Sequence, residues 1–293
     1  MKTGMFAIVG RPNVGKSTLL NRFTGEKVAI VTPKPQTTRN RITGIVTTGE
    51  KQLVFLDTPG FHKAKTKLSD YMNRVVRDSV AGVDAALLVV PPVPSVGTPE
   101  KLLIDRIREE KIPAILVVNK IDEIRKDLLL PVIDAYRNAH PFDAIFPISA
   151  KTGEGIPELL AELDRFLLDG PMLFPDGEVS DQPERQVMAE IIREKLLRTL
   201  DEEIPHGTAV EIELFSDRSD DLIDISAVIY CEKKSHKGMI IGKRGAKLKE
   251  IGSLARADME RFMGAKIFLE LYVKVKENWR QSDIDIKNFG YEE

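Results

Sequence analysis

The chain has 293 residues, 42% of them hydrophobic, and a formal net charge of −2 at pH 7. That make-up is ordinary for a globular protein of two domains, each large enough to bury its own core. No apolar stretch is long enough to cross a bilayer, and the one cysteine, Cys231, excludes an internal disulfide and reads as a packed strand thiol of a cytosolic chain.

The opening MKTGMFAIVG enters a strand at residues 5–9 at once, leaving no room for a signal peptide. GRPNVGKS follows over residues 10–17 and leads into a helix predicted at 16–24. A GxxxxGK[ST] spacing between strand and helix is a phosphate-cradling loop, because its glycines let backbone N–H groups and a helix N-terminus face a polyphosphate. Gly10, Arg11, Pro12, Asn13, Val14, Gly15, Lys16, Ser17 and Thr18 are therefore the first candidate nucleotide-binding residues. Lys16 supplies a cation for the β- and γ-phosphates, which makes it a candidate catalytic residue, and Ser17 offers a hydroxyl to Mg²⁺. Gln36-Thr37-Thr38-Arg39 lies in the loop before a strand predicted at 41–48. One threonine hydroxyl there can complete the Mg²⁺ shell when a γ-phosphate is present, and Thr38 is favoured over Thr37.

A strand at 52–56 ends in Asp57-Thr58-Pro59-Gly60, where Asp57 can hold Mg²⁺ through water and the Gly60 N–H can meet the γ-phosphate. Helices predicted at 69–81 and 99–111 alternate with strands at 84–90 and 113–118, both continuously apolar over most of their length, as strands buried on both faces are. The second of these strands ends in Asn119-Lys120-Ile121-Asp122. The Asp122 carboxylate can accept from N1–H and N2–H₂ of guanine, while adenine offers no matching donors, so this loop selects GTP over ATP. Asn119 can tie the loop to the phosphate loop, and the Lys120 stem can lie along the purine. After a helix at 127–139 and a strand at 143–148, Ser149-Ala150-Lys151 can place the Ala150 N–H on guanine O6, and a helix at 156–168 ends the alternation. The whole stretch reads as an α/β fold.

Domain boundaries are expected at 1–170 and 184–293, with a proline- and glycine-containing linker at 171–183. Beyond the linker the order is α-β-β-α-α-β: a helix at 184–202, strands at 208–215 and 222–231, helices near 233–240 and at 245–262, and a strand at 266–275. Asp220-Asp221 reads as a polar hairpin turn. Lys233, Lys234, Lys237, Lys243, Arg244, Lys247 and Lys249 form a stretch without an acidic residue, a candidate anion-binding patch. Within it, Ile240-Ile241-Gly242-Lys243-Arg244-Gly245 places GxxG between two helices.

Residues 5–168 resemble the Era-like group of translation-factor-class GTPases. The resemblance implies a six-stranded, mostly parallel sheet with one antiparallel strand, and the catalytic roles of Lys16, Thr38 and Gly60. Phe61 stands where other GTPases place a water-orienting glutamine, a replacement known in this group, so hydrolysis is expected to be slow without a partner or K⁺. Asn13 matches the asparagine that helps some relatives hold K⁺. The second half resembles a type II KH domain, whose GxxG loop clamps about four nucleotides of single-stranded RNA. Gly242 and Gly245 permit close approach, Lys237, Lys243, Arg244 and Lys247 meet phosphates, and Ile240 or Ile241 floors a groove for bases. Both halves together resemble the Era-like GTPases that carry this module, which implies binding near the 3′ end of 16S rRNA, a role in 30S subunit maturation, a monomeric cytoplasmic protein and peripheral contact with the inner membrane.

Two other readings compete: a passive RNA-binding assembly protein with structural nucleotide, which Phe61 keeps open, and a P-loop ATPase or kinase, which Asp122 disfavours. The four histidines are scattered without metal-ligand spacing, and no nucleophile motif is present.

Overall fold

The computed structural model describes residues 1–219 and 221–291; Asp220, half of the expected Asp220-Asp221 turn, lies outside them, as do the last two residues. The chain divides into two compact units: Met1–Lys65 with Ser69–Asp181, and Thr66–Leu68 with the residues from Gln182 onward.

Unit 1 is a sheet covered by helices on both faces. Its strands are β1 (Lys2–Val9), β2 (Ile42–Thr48), β3 (Lys51–Asp57), β4 (Ala85–Val90), β5 (Ala114–Val118), β6 (Ala144–Pro147) and a two-residue β7 (Leu168–Asp169). The order is β2-β3-β1-β4-β5-β6, with β2 antiparallel to β3 and β7 antiparallel to β1 at the position of Lys2 and Thr3. The remaining pairs are parallel. Alternation along the strands divides the core. Phe6, Ile8, Phe55, Leu87 and Val117 pack on Leu19, Leu20 and Phe23 of α1 (Lys16–Thr24) and on Leu159 and Leu163 of α5 (Ile156–Leu163). Ala7, Val9, Val54, Leu88 and Val118 face Val76 and Val80 of α2 (Lys67–Val80), Leu103 and Ile107 of α3 (Thr98–Glu110), and Val132 and Tyr136 of α4 (Leu129–Arg137).

The last predicted helix ends five residues early. It gives way to a 3₁₀ turn at Asp164–Phe166, and Leu168 then pairs with β1. Residues 173–180, still within unit 1, lie against its sheet: the fully buried Gln52 amide accepts from Leu173 and Phe174 N–H and donates to the Phe174 carbonyl. Ile45 of β2 donates to the Val179 carbonyl at 2.9 Å, and Ser180 Oγ to that of Thr43 at 2.8 Å. Because the shared strands are parallel, the carboxyl ends of β1, β3, β5 and β6 all open on one edge, where ligands of such sheets bind.

Unit 2 has the α-β-β-α-α-β order: α6 (Glu184–Thr199), β8 (Ala209–Ser219), β9 (Leu222–Cys231), α7 (Lys234–Ile241), α8 (Ala246–Met263) and β10 (Lys266–Val275). β9 is central, antiparallel to β8 and parallel to β10. Met188, Ile192 and Leu196 of α6 pack with Ile225, Ala227, Ile229, Ile251, Ala255 and Met259. A short helix α9 (Asp283–Asn288) follows, capped by Ser282, whose hydroxyl accepts from the Asp285 N–H. The single tryptophan, Trp279, is fully buried beside it and donates through Nε1 to the Gly207 carbonyl at 2.9 Å.

Helix α6 also buries charge. Lys195 donates to Glu194 at 2.9 Å and to Asp258, and Arg198 donates to Glu194 at 2.9 Å. Removing one member of such a cluster strands the others away from water. Lys195→Met therefore lowers the stability of this unit by about 3 kcal/mol, read from the Trp279 fluorescence transition in denaturant; an unshifted midpoint would show the cluster to be well solvated.

Candidate functional site

Helix α1 begins without a side-chain cap and has no acidic residue in its first turn, so its N-terminal N–H groups remain available to an anion. Gly15, the residue before it, has φ +97°, and a Cβ there would stand 2.3 Å from Asn119 Nδ2. Only glycine meets both conditions. Lys16 folds back over the loop and donates to the carbonyls of Gly10 and Arg11, each at 3.2 Å. Burial pushes its ammonium down to about 8, against the attraction of Asp57.

Asp57 ends β3 opposite Ile8 of β1 and is fully buried. Ser17 Oγ donates to its Oδ2 at 2.6 Å and lies 2.9 Å from Thr38 Oγ1. Burial pushes the Asp57 carboxyl up to about 6, with Lys16, the Ser17 hydroxyl and the Thr58 N–H opposing. Its Oδ1 has no protein partner among the described residues. A hydroxyl pair around a carboxylate with one oxygen to spare is a hard, all-oxygen donor set of the kind Mg²⁺ takes. Of the two threonines, Thr38 lies beside Ser17, while Thr37 donates to the Lys34 carbonyl at 2.7 Å within its own loop.

Thr58 Oγ1 donates to the Ile8 carbonyl at 2.9 Å and Phe61 N–H to the Gly10 carbonyl at 3.1 Å, fixing the 57–60 turn against the phosphate loop. A Cβ on Gly60 would meet Pro12 at 2.7 Å. The Phe61 side chain packs against the core of Ala7 and Val9 and brings no polar side-chain atom to the turn. Asn13, at φ +64°, donates to the Pro33 carbonyl at 2.7 Å. Asn13, Lys16, Ser17, Ile30, Thr38 and Gly60 all line one open cleft.

Asn119 ties three segments together. Its Nδ2 donates to the Val14 carbonyl at 2.8 Å, its Oδ1 accepts from the Ala150 N–H at 2.9 Å, and its own N–H reaches the Val90 carbonyl. Ser149 Oγ donates to Asp122 Oδ1 at 2.7 Å and accepts from the Thr152 N–H at 3.1 Å. The Ala150 N–H, expected on guanine O6, is thus directed at Asn119. Lys120 stands at φ +67° beside Glu123, 3.9 Å from its carboxylate. Two residues that the sequence did not flag border this region. Arg22 of α1 reaches the 149–151 loop, and the buried Glu100 of α3 faces Arg11 Nε at 3.6 Å. Neither has a local pattern to betray it.

In unit 2 the GxxG loop forms a 3₁₀ turn at Lys243–Gly245 between α7 and α8. Gly242 has φ +71°, and a Cβ there would lie 2.6 Å from Lys247 Cβ. Lys243 and Arg244 at the tip are exposed, as are Lys233, Lys234, Lys237 and Lys249. Lys247 Nζ instead holds Glu250 at 3.1 Å. Ile240 is fully buried in the core, so of the two candidate groove residues only Ile241 keeps part of its surface. Met239, which the sequence did not flag, is 55% exposed beside them. Among the described residues no cluster of three metal-ligating side chains of the His, Cys, Asp and Glu types occurs, and no helix is long and apolar enough to cross a membrane.

The family described as 50S ribosome-binding GTPase matches residues 5–120, and the KH domain family matches residues 203–280. The chain is 50% identical over 290 residues to the GTPase Era of Ruminiclostridium cellulolyticum, covering 99% of this chain and 97% of that one. It is 51% identical over 292 residues to GTPase Era of Clostridioides difficile, with 99% and 98% covered. A point variant of Aquifex aeolicus Era, solved with GDP·AlF4⁻, superposes with a TM-score of 0.95 at 38% identity over 99% of each chain. Era solved with MgGDPNP and nucleotides 1506–1542 of 16S ribosomal RNA superposes equally well, at the same identity and coverage. With its phosphate loop, buried oxygen cluster and GxxG module in place, the chain belongs to the Era family of GTPases.

Proposed function

We propose that this GTPase is a nucleotide-controlled RNA-binding switch that acts on 16S rRNA near its 3′ end during maturation of the 30S subunit. The observation that carries the reading is the pairing in one chain of the Ser17–Thr38–Asp57 cluster with an exposed, basic GxxG tip. A relative similar over the whole chain, solved with MgGDPNP and 16S rRNA nucleotides, supports it.

In this reading residues 10–18 bind the phosphates through backbone N–H groups and Lys16, and Ser17, Thr38 and Asp57 hold Mg²⁺. Bound Mg²⁺ neutralises charge on the β- and γ-phosphate oxygens. Thr58 and Pro59 shape the turn that presents the Gly60 N–H to the γ-phosphate, so loss of that phosphate frees both the 57–60 turn and the Thr38 loop. Asp122 reads the guanine edge, with Asn119, Lys120 and residues 149–151 shaping its pocket. The Phe61 side chain cannot orient water, so backbone N–H groups and Lys16 meet the charge that develops on the phosphates; a K⁺ ion, which Asn13 would help hold, would add further positive charge there. On the RNA side Gly242 and Gly245 let the sugar-phosphate approach, while Lys237, Lys243, Arg244 and Lys247 meet phosphates; Ile241 offers the apolar contact. A monomeric cytoplasmic protein with peripheral contact at the inner membrane completes the proposal, on resemblance to the family. The passive-assembly reading draws on Phe61 alone.

Two measurements test these roles. Lys243→Ala combined with Arg244→Ala weakens binding of an RNA with the 16S 3′-end sequence by roughly tenfold or more near 0.1 M salt, and flattens the log–log salt slope by about one to two. Unchanged affinity and slope would remove the GxxG tip from the RNA interface. Exchanging Na⁺ for K⁺ raises turnover at saturating GTP by roughly tenfold, and Asn13→Ala abolishes the difference; equal rates in the two salts would remove the cation.

A further inference from the structure

Arg22 stands in the last turn of α1, on the helix that starts at the phosphate loop, with an exposed side chain. Its guanidinium donates twice into the loop that follows β6: Nε to the Ala150 carbonyl at 3.2 Å and Nη2 to the Lys151 carbonyl at 2.6 Å. Both acceptors lie outside α1, so Arg22 does not cap its own helix. A planar fork that meets two successive carbonyls fixes a loop more firmly than a point charge would.

What the fork fixes follows from peptide geometry. In a planar trans unit the carbonyl and the next N–H point in opposite directions. Holding the Ala150 carbonyl turns the Lys151 N–H away from Arg22, and holding the Lys151 carbonyl turns the Thr152 N–H away likewise. The Thr152 N–H meets Ser149 Oγ at 3.1 Å, and Ser149 Oγ donates to Asp122 Oδ1 at 2.7 Å. An unbroken chain of contacts thus leads from Arg22 to the carboxylate that faces the base. Since the Ala150 N–H is already directed at Asn119, the Lys151 N–H is the further donor that this loop can offer to guanine O6.

We infer that Arg22 is a positioning residue for guanine selection, acting through the 150–152 peptides and Ser149 on the aim of Asp122. The inference rests on the reading of Asp122 and residues 149–151 as the base-side wall. The phosphate loop lies at the other end of α1.

The test compares Mg²⁺-supported affinities for GDP and for ADP by titration calorimetry. Arg22→Ala weakens GDP about tenfold and leaves ADP unchanged, so the preference between them falls by the same factor. Arg22→Lys, which keeps the charge and loses the fork, gives an intermediate preference. Equal weakening of GDP and ADP would assign Arg22 to general support of α1 and overturn the inference, as would an unaltered GDP affinity. Asp122→Ala in the same assay separates the two layers. If it abolishes the preference while Arg22→Ala does not, only the role of Arg22 fails. If it leaves the preference intact, the base-side reading fails and the inference falls with it. Thermal unfolding of each variant establishes that the exposed substitution leaves the fold in place.

Discussion

Asp57 is a carboxylate shut off from water, beside an ammonium shut off from water, and neither satisfies the other completely. Burial is the larger influence on both groups: it lowers Lys16 to about 8 and raises Asp57 to about 6 in spite of their mutual attraction. One Asp57 oxygen finds no partner among the described residues. Such an arrangement is poorly balanced by the protein alone and well balanced by a cation on the Asp57 side and phosphate oxygens on the Lys16 side. The pairing of β1 with β3 holds it in place, because the register sets Asp57 against Ile8 just before the phosphate loop turns. The rest of unit 1 serves that edge: two helical layers bury both faces of the sheet, leaving the strand ends to carry the chemistry.

The same cluster reaches outward along the chain. Ser17 shares a hydrogen bond with Thr38, and β2 begins only four residues later. Thr43 and Ile45 of that strand hold Ser180 and Val179, just upstream of α6, where unit 2 starts its first long helix. Two further ties are Asn119, joining the phosphate loop to the 149–151 loop, and Arg22, joining the far end of α1 to the same loop. Unit 1 is therefore braced at both ends of one helix, by polar contacts between segments that are far apart in sequence.

What the sequence made legible divides along a physical line. GRPNVGKS, DTPG and NKID were readable because each packs backbone geometry and chemistry into a few adjacent residues, and apolar runs such as 85–90 announce buried parallel strands. Thr37 and Thr38 share one local pattern, and only the fold shows that the Lys34 carbonyl takes the Thr37 hydroxyl while Thr38 lies beside Ser17. Ile240 and Ile241 looked equivalent, and only packing puts the first wholly in the core. Arg22 and Glu100 act across the fold and leave no local pattern. Helix α9 did have a signal, in Ser282 followed by Asp283 and Asp285, but six residues carry too little periodicity to stand out. Strand β7 exists only because β1 offers a neighbour for Leu168 and Asp169.

In the proposed switch the oxygen cluster of unit 1 controls an RNA grip in unit 2, and one comparison tests that directly: the affinity for an RNA with the 16S 3′-end sequence, measured with the Mg²⁺ complexes of a non-hydrolysable GTP analogue and of GDP. A difference of about tenfold or more between the two states, lost in Thr38→Val, is the predicted result. Equal affinity in both states would contradict the switch and leave the nucleotide a structural part of a passive RNA-binding protein.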